Sequence, residues 1–384
     1  MNRPPQYPTI LEAREPRWRR WWLALPLLWG VQSAVLVQLW PQDQPLLALW
    51  MWSAVLPVAW ALALALRLLA WRIGIFGCEA LRRAREAATQ RWWRWRSLGL
   101  PVEEVLLLGP AGDDQVHYRD LMKNTPLPQP LADADADADA EATRPALRCP
   151  VMLHKSVERA PGLGRHLARL TLKLAGVSER WPHLRAIAWV GDECALAAFE
   201  KTLEKKGAVL PEVRLPLRDL ADLDDLIDIF HSECRNAHDW LLCAGVASLR
   251  SAEDAQLPGE GGFVWLVSRQ GRQLLHRGES LLSEPHESPS GLCAQMQRYA
   301  GLQNPPPACL ALDQPSQSAF IDGGWSAVDH PLAGYWGVLA HLAPFIGMSL
   351  ALLQARDAGQ PCGWLSQDAD KRLAMGVAVS YANQ

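Results

Sequence analysis

Two stretches near the N-terminus constrain everything that follows. From Trp21 to Gln42 the chain reads WWLALPLLWGVQSAVLVQLWPQ without one charged side chain, and Pro45 to Leu66 is uncharged as well. Each is about the ~20 residues a helix needs to cross ~30 Å of hydrocarbon. Only PQDQP (41–45) lies between them, enough for a tight turn and nothing more. Residues 1–20 carry five Arg and two Glu, residues 72–96 carry seven Arg and two Glu, and the turn holds a single acid, Asp43. The positive-inside bias then places both flanks in the cytoplasm.

The expected layout is a cytoplasmic segment at 1–20 and a transmembrane helical hairpin at 21–71 in a bacterial inner membrane, with the lipid bilayer as its first partner. A signal peptide has a shorter apolar core and a small-residue cleavage site, and the second span follows too closely for removal. The alternative is a buried helical pair of a soluble core. Tryptophan usage supports the membrane: the chain has 19 Trp against 5 Tyr and 6 Phe, and the excess crowds into the first hundred residues. Trp21, Trp22, Trp40, Trp50, Trp52, Trp60 and Trp71 include several at interface depth.

After the hairpin, CEALRRAREAATQRWWRWRSLG mixes Arg and Trp among good helix formers. Residues 72–97 are expected to form a basic, Trp-rich juxtamembrane helix lying on the anionic inner leaflet, or else a solvated connector. The net charge of −3 argues against nucleic acid as a partner. The eight cysteines, Cys78, Cys149, Cys194, Cys234, Cys243, Cys293, Cys309 and Cys362, show no CxxC pair or regular framework, as expected of reduced cytoplasmic thiols.

A domain is expected over 98–384. PVEEVLLLGPAGDD (101–114) opens with an apolar strand, at Val105 to Leu108, and ends in a Gly/Pro turn; the Pro-rich and Ala-Asp segment at 124–145 then interrupts the domain as a disordered loop or tether. Beyond it strands and helices alternate: a strand at 184–191, a helix at 193–207, a strand at 211–217, a helix at 219–237, and strands at 239–249 and 261–269. That order signals a layered α/β domain.

DWLLCAGVASL (239–249), followed by LPGEGGFVWLV (257–267), resembles the segment of β-ketoacyl synthases and their thiolase-fold relatives in which a central strand ends in an Ala/Gly-rich loop and a Gly-Glu-Gly leads into the next strand. The C-terminal AGYWGVLAHLAPFIGMSLALLQARDAGQPCGWLSQDADKRLAMGVAV resembles the synthase ending, a Gly-His-x-Gly turn, a long apolar helix and closing strands. The resemblance covers residues 184–384. It implies a thiolase-like layered α/β domain behind the transmembrane hairpin, and a homodimer formed through that domain.

The resemblance also implies where chemistry would sit. The family holds a nucleophilic cysteine at a helix mouth, where the dipole lowers its pKa, beside two histidines or a histidine and an asparagine. Here the corresponding helix starts at PLRDLADLDD (216–225) without a cysteine. Tyr335 stands where the family has its second histidine, and LDQPSQSAF (312–320) lacks the turn that carries the first. Gly334 and Gly337 keep the geometry of an active-site turn, and Tyr335 and Trp336 fill the former acyl pocket; alternatively, a strand-to-helix turn simply needs small residues.

Other constellations are weaker. His231, Cys234 and His238 fall at i, i+3 and i+7 of the expected helix, so they are the candidate metal ligands, although the spacing matches no zinc signature. Cys234 and Cys243 are candidate nucleophiles, against the plainer reading of buried thiols. The acids Asp219, Asp222, Asp224, Asp225 and Asp228 read as a solvated first turn or a partner surface. PGLGRH (161–166) matches neither phosphate-binding pattern, and no cofactor is expected. The chain is thus expected to be a non-enzymatic adaptor or scaffold on the inner membrane with protein partners, in a setting such as type VI secretion, which degenerate thiolase-like proteins accompany. The alternative is a membrane-bound acyltransferase or an acyl-thioester-binding protein.

Overall fold

A computed structural model of the chain describes residues 5, 7–10, 12–39, 41, 45–113, 118, 126–131, 145–151, 158–174, 176–252, 256–281, 288–368 and 370–381. It forms two bodies, Met1–Arg94 and Trp95–Gln384. Most of the segment expected to be disordered, 124–125 and 132–144, lies outside the described residues, as do turn residues 42–44.

The first body is built on helices α1 (Trp18–Leu39) and α2 (Leu46–Arg96), whose last two residues belong to the second body. Both are long and apolar enough to cross a membrane, and their apolar windows are wholly unburied within the chain. The hairpin is closed by Trp21, edge-on to Trp60 at 6.0 Å, and by Gln32, whose Nε2 donates to the Trp52 carbonyl at 2.7 Å. The N-terminal segment then runs back along α2: Arg67 donates to the Arg14 carbonyl at 3.2 Å, and the Arg85 guanidinium lies 5.6 Å from the centre of the Tyr7 ring.

The segment expected as a separate helix at 72–97 is not separate. It continues α2, which runs for 51 residues, about 76 Å at the usual rise. Neither Gly74 nor Gly77 breaks it, because a helix tolerates an isolated glycine at a cost of about 1 kcal/mol.

The second body is organised by a ten-stranded mixed sheet: β1 (Leu100–Leu108), β2 (Leu184–Gly191), β3 (Arg214–Pro216), β4 (Trp240–Ser248), β5 (Glu260–Ser268), β6 (Gln273–Leu275), β7 (Glu279–Ser280), β8 (Ala308–Ala311), β9 (Cys362–Gln367) and β10 (Leu373–Ser380). The order is β3-β2-β4-β5-β1-β6-β10-β9-β8, with β7 beside β10. The pairs β2–β3, β2–β4 and β8–β9 are parallel and the rest antiparallel. Between the strands lie α3 (Arg159–Lys173), α4 (Glu193–Glu204), α5 (Leu220–Glu233), α6 (Pro289–Tyr299) and α7 (Ala343–Ala358).

Period-two alternation assigns the faces. Leu241 and Cys243 of β4 and Phe263, Trp265 and Val267 of β5 share one core with α5 and α7. Trp240, Leu242, Ala244 and Val246 of β4 and Val264 and Leu266 of β5 share the other with α3 and α4. Strands covered on both faces read as near-continuous apolar runs, which is why β4 and β5 are so evident in the sequence. Helix α7 has eleven buried residues, as a helix apolar on every side requires.

Several expected elements change length. The helices expected at 193–207 and 219–237 end at Glu204 and Glu233, and the strand expected at 211–217 keeps only three residues. The strand expected at Val105 begins at Leu100 and lies between β5 and β6, near the middle of the sheet.

Candidate functional site

At one end of the sheet the end of β1, the end of β4 and the start of β5 come together, with Leu108 opposite Gly262 and Ser248 opposite Glu260. Against this end sits the turn singled out in the sequence. Ala333–Trp336 is a single helical turn closed by Gly337 at φ +66°. A side chain at Gly337 would be strained there and would meet the Leu257 carbonyl at 2.6 Å. Gly334 lies under Leu127, whose Cδ2 would stand 2.9 Å from an added methyl.

Tyr335 and Trp336 are buried, with Trp336 only 1% exposed. The indole stacks on Tyr118, with ring centres 5.7 Å apart, and its edge occupies the space that a side chain at Gly109 would need. A methyl at Gly261 would stand 3.1 Å from the same ring, and one at Gly259 would drive into the Trp336 carbonyl. The backbone is pinned as well: Gly259 donates to Val338 at 3.0 Å and Val338 donates to Leu257 at 2.9 Å. The glycines of Gly-Glu-Gly at 259–261 therefore admit Trp336. Its Nε1 is buried without a hydrogen-bond partner among the described residues.

Between those glycines Glu260 is fully buried. Its Oε1 accepts from Arg148 at 3.1 Å, Ser248 at 2.6 Å and Arg159 Nε, and its Oε2 accepts from Arg159 Nη2 at 2.7 Å and the Cys149 amide at 3.0 Å. Burial pushes the Glu260 carboxyl up, but the bonds from Arg159 and Ser248 and the charges of Arg159 and Arg148 outweigh it and hold it below the ordinary range. Burial, seconded by Glu260, drives the neighbouring Cys149 thiol well above its ordinary value. Tyr118 donates to the Gly112 carbonyl, and His166 on α3 meets Asp113 at 2.9 Å.

The helix mouth implied by the resemblance is the start of α5. Asp219 caps it, accepting from the amides of Ala221 at 3.0 Å and Asp222 at 2.9 Å, and Leu217 just before is buried. Orphan amides that would favour a thiolate are thus engaged by a carboxylate of the chain itself. LDQPSQSAF forms turns after β8, held by Asp313, which accepts from the amides of Ser316 at 2.9 Å and Gln367 at 2.7 Å.

The remaining candidates are scattered. Cys243 lies inside β4 and Cys234 caps α5, both fully buried; burial raises Cys234 to about 11 and raises Cys243 further. His231 Nε2 lies 2.9 Å from the Gly99 carbonyl. His238 is not on α5 but in the turn Asn236–Asp239 beyond it, and its ring stands 5.6 Å from that of His183. The expected shared face of His231, Cys234 and His238 is therefore corrected by the helix ending at Glu233. Among the described residues no group of three His, Cys, Asp or Glu is placed to hold a metal. PGLGRH lies within α3, where Gly164 brings the helix against the Ala195 carbonyl of α4.

The acidic run is not a solvated turn throughout. At the opposite end of the sheet Asp224 pairs with Arg96 at 2.6 Å and with Arg277 at 3.2 Å. Asp228 accepts from Arg277 and from Trp95 Nε1, while Arg96 also meets Glu279 and, at 3.1 Å, the Tyr299 hydroxyl. Arg96 and Arg277 are 1% and 0% exposed. The sequence marks each cluster by one fragment alone, the acidic run for this one and Gly-Glu-Gly for the one around Glu260; the arginines that complete them carry no local signal.

No protein-family model matches the chain, and no curated protein matches it. Solved structures do match. The ishigamide ketosynthase/chain length factor is 12% identical, with 73% of this chain and 99% of that one covered at a TM-score of 0.51. The ketosynthase from module 6 of the bacillaene synthase of Bacillus subtilis 168 is 10% identical, with 74% and 71% covered at 0.51. The ketosynthase from module 1 of the bacillaene synthase of Bacillus amyloliquefaciens FZB42 is 10% identical, with 76% and 74% covered at 0.50. At such identities the likeness is one of fold: the second body is a ketosynthase-like α/β domain, and the likeness reaches well upstream of residue 184.

Proposed function

We propose that the chain is a non-catalytic adaptor, anchored in a bacterial inner membrane by the α1–α2 hairpin, whose ketosynthase-like domain serves as a docking platform on the cytoplasmic side. The observation that carries this reading is the filled corner: Trp336 and Tyr335 are buried against Gly109, Gly259 and Gly261. Two further features support it. Asp219 occupies the amides at the helix mouth, and the two candidate nucleophiles, Cys234 and Cys243, are buried thiols whose pKa is raised rather than lowered. The partners are proteins of a multi-component assembly, for which secretion machinery of the type VI kind is the proposed setting.

The test is in-cell cross-linking of tagged full-length protein, with mass spectrometry of what is recovered from membranes. Intact-mass measurement after incubation with acyl thioesters accompanies it. Recovery of secretion components, no mass increase, and unchanged phenotype in Cys234→Ser and Cys243→Ser support the adaptor. An acyl adduct abolished by either substitution, or recovery of acyl carrier protein, overturns it in favour of acyl transfer.

A further inference from the structure

One exposed segment of the second body is specified by proline. Residues 126–131 read PLPQPL, with Pro126, Pro128 and Pro130 at every second position. Each ring fixes its own φ at about −65°. Leu127 and Gln129, each followed by a proline, are pushed into the extended or polyproline region. Residues 126–130 are therefore committed to a polyproline II helix before any tertiary contact forms. Their surroundings agree. All six residues except Pro128 are exposed, Leu127 by 60% and Leu131 by 53%. Among the described residues no backbone hydrogen bond involves 126–130, as a helix without internal bonds requires.

The segment is held at both ends and open between them. Leu131 exchanges backbone bonds with Ala146 at 2.9 and 3.0 Å, and the adjoining Leu147 bridges to Gly259. Leu127 stands over Gly334 at the filled corner. Two leucines thus stand in water on a backbone with little freedom left to fold them in, and a segment so fixed loses little entropy when a partner takes it. Three of its six residues lack an N–H, so a partner cannot add to it as a strand along its length.

We infer that 126–131 is a docking peptide read by a different protein through a groove lined with aromatic side chains. Polyproline segments dock in grooves of that kind, the preformed helix lying against the rings. The three-residue repeat sets Leu127 with Pro130 on one edge and Pro128 with Leu131 on the next, each pair about 9 Å apart along the axis, and no side chain in the segment is charged. The second body of another copy offers no such groove: among its described residues the exposed aromatics are Trp95 and Tyr381, at the two ends of β6 beside Arg277 and Arg272. A bilayer does not fit either, because the chain runs on into five acids between 133 and 141, which an anionic leaflet repels. The inference deepens the adaptor reading, on which it rests for the presence of a partner in the cell.

The test is photo-cross-linking of tagged full-length protein in native membranes, with p-benzoylphenylalanine in place of Leu127, Gln129 or Leu131, or of the exposed controls Val209 and Val213 beside β3. The three segment positions are expected to capture one and the same protein, several-fold above the controls, with the joined peptide mapping to a groove of that protein lined by Trp or Tyr. Pro128→Ala together with Pro130→Ala frees the backbone without adding polarity and is expected to lower the yield at Gln129 several-fold. The captured protein, purified, is then titrated with the synthetic peptide 126–131. A saturable change in its aromatic fluorescence is expected, absent with the peptide carrying both alanines; this readout is independent of how the full chain folds. Yields no higher than at the controls, capture of a second copy or of lipid, a partner site without aromatic side chains, or an undiminished signal from the alanine peptide each overturns the inference. The acyl-thioester mass measurement reports on the adaptor reading separately, so a wrong docking segment and an active enzyme are told apart.

Discussion

Removing Trp336 tests the filled corner most directly, and the glycines around it supply an internal control. Truncating a buried Trp to Ala costs roughly 3–5 kcal/mol. The Trp336 Nε1 has no partner among the described residues, so its removal also relieves a buried polar group worth about 1–3 kcal/mol, and the net loss for Trp336→Ala is expected near the lower end, about 3 kcal/mol. Gly109→Ala forces a methyl into the indole, an overpacking that costs about 1–3 kcal/mol. In the Trp336→Ala background that obstacle is gone, so Gly109→Ala is expected to become nearly neutral. Gly259→Ala instead meets the Trp336 carbonyl, with the Val338 carbonyl at 2.9 Å behind it, and both survive the truncation; its cost is expected to persist. The assay is urea unfolding of the full chain in detergent by near-UV circular dichroism, read as a double-mutant cycle. Equal cost of Gly109→Ala in both backgrounds, or rescue of Gly259→Ala, refutes the packing argument.

Three further outcomes are expected. Glu260→Gln leaves Arg148 and Arg159 without their carboxylate and is expected to cost about 3–5 kcal/mol. Because the folded pKa of Glu260 lies below its unfolded value near 4.5, its contribution is complete above that pH and fades as pH falls through the lower folded value; acid-unfolding curves of Glu260→Gln should therefore be flatter than wild type there. In the native protein an alkylating reagent should modify exposed Cys194 but spare Cys149, Cys243 and Cys362 until denaturant is added, as peptide mapping would show. Arg96→Ala removes a buried cation from between Asp224, which keeps Arg277, and Glu279, which keeps the Tyr299 hydroxyl, and is expected to lower the urea midpoint by the equivalent of about 3 kcal/mol, whereas Arg83→Ala on the exposed helix should change it by less than about 1 kcal/mol.

How much of this was legible follows from how local each signal is. Strands β4 and β5 are evident because burial on both faces leaves a near-continuous apolar run, and β2 is evident from its apolar run after Arg185. Strand β1 was read short because Pro101, Glu103 and Glu104 look like loop residues. Glu103 is tolerated there because Arg180 holds it through two bonds of 2.8 and 2.9 Å, from a residue 77 positions away. The helix was carried too far, to residue 237, because the apolar spacing gives no stop; what ends it is a turn in which Asn236 donates to the Asp239 carboxylate at 3.1 Å and accepts from the Asp239 amide at 3.2 Å. Glu260 was seen only as part of a Gly-rich motif, since Arg148 and Arg159 reach it across more than 100 residues of sequence. At 334–337 the positive φ of Gly337 is local and leaves its mark in the sequence as a glycine, whereas the aromatic stack on Tyr118 comes from a residue more than 200 positions earlier.

The position of β1 has a consequence for how the protein is made. It is the first strand to leave the ribosome, yet its neighbours are β5, some 160 residues later, and β6, which is in turn held by β10 at the C-terminus. The central strand therefore waits, with both edges open, until β5 and β6 at 260–275 have been made, while α1 and α2 have long since emerged. Such non-local closure is slow and exposes an apolar strand to mispairing. With its central strand unpaired for most of synthesis, this domain is expected to be a client of chaperones that act on nascent chains, and on the proposed anchoring these act near the membrane surface; expression yield should depend on them more steeply than the stability of the finished fold suggests.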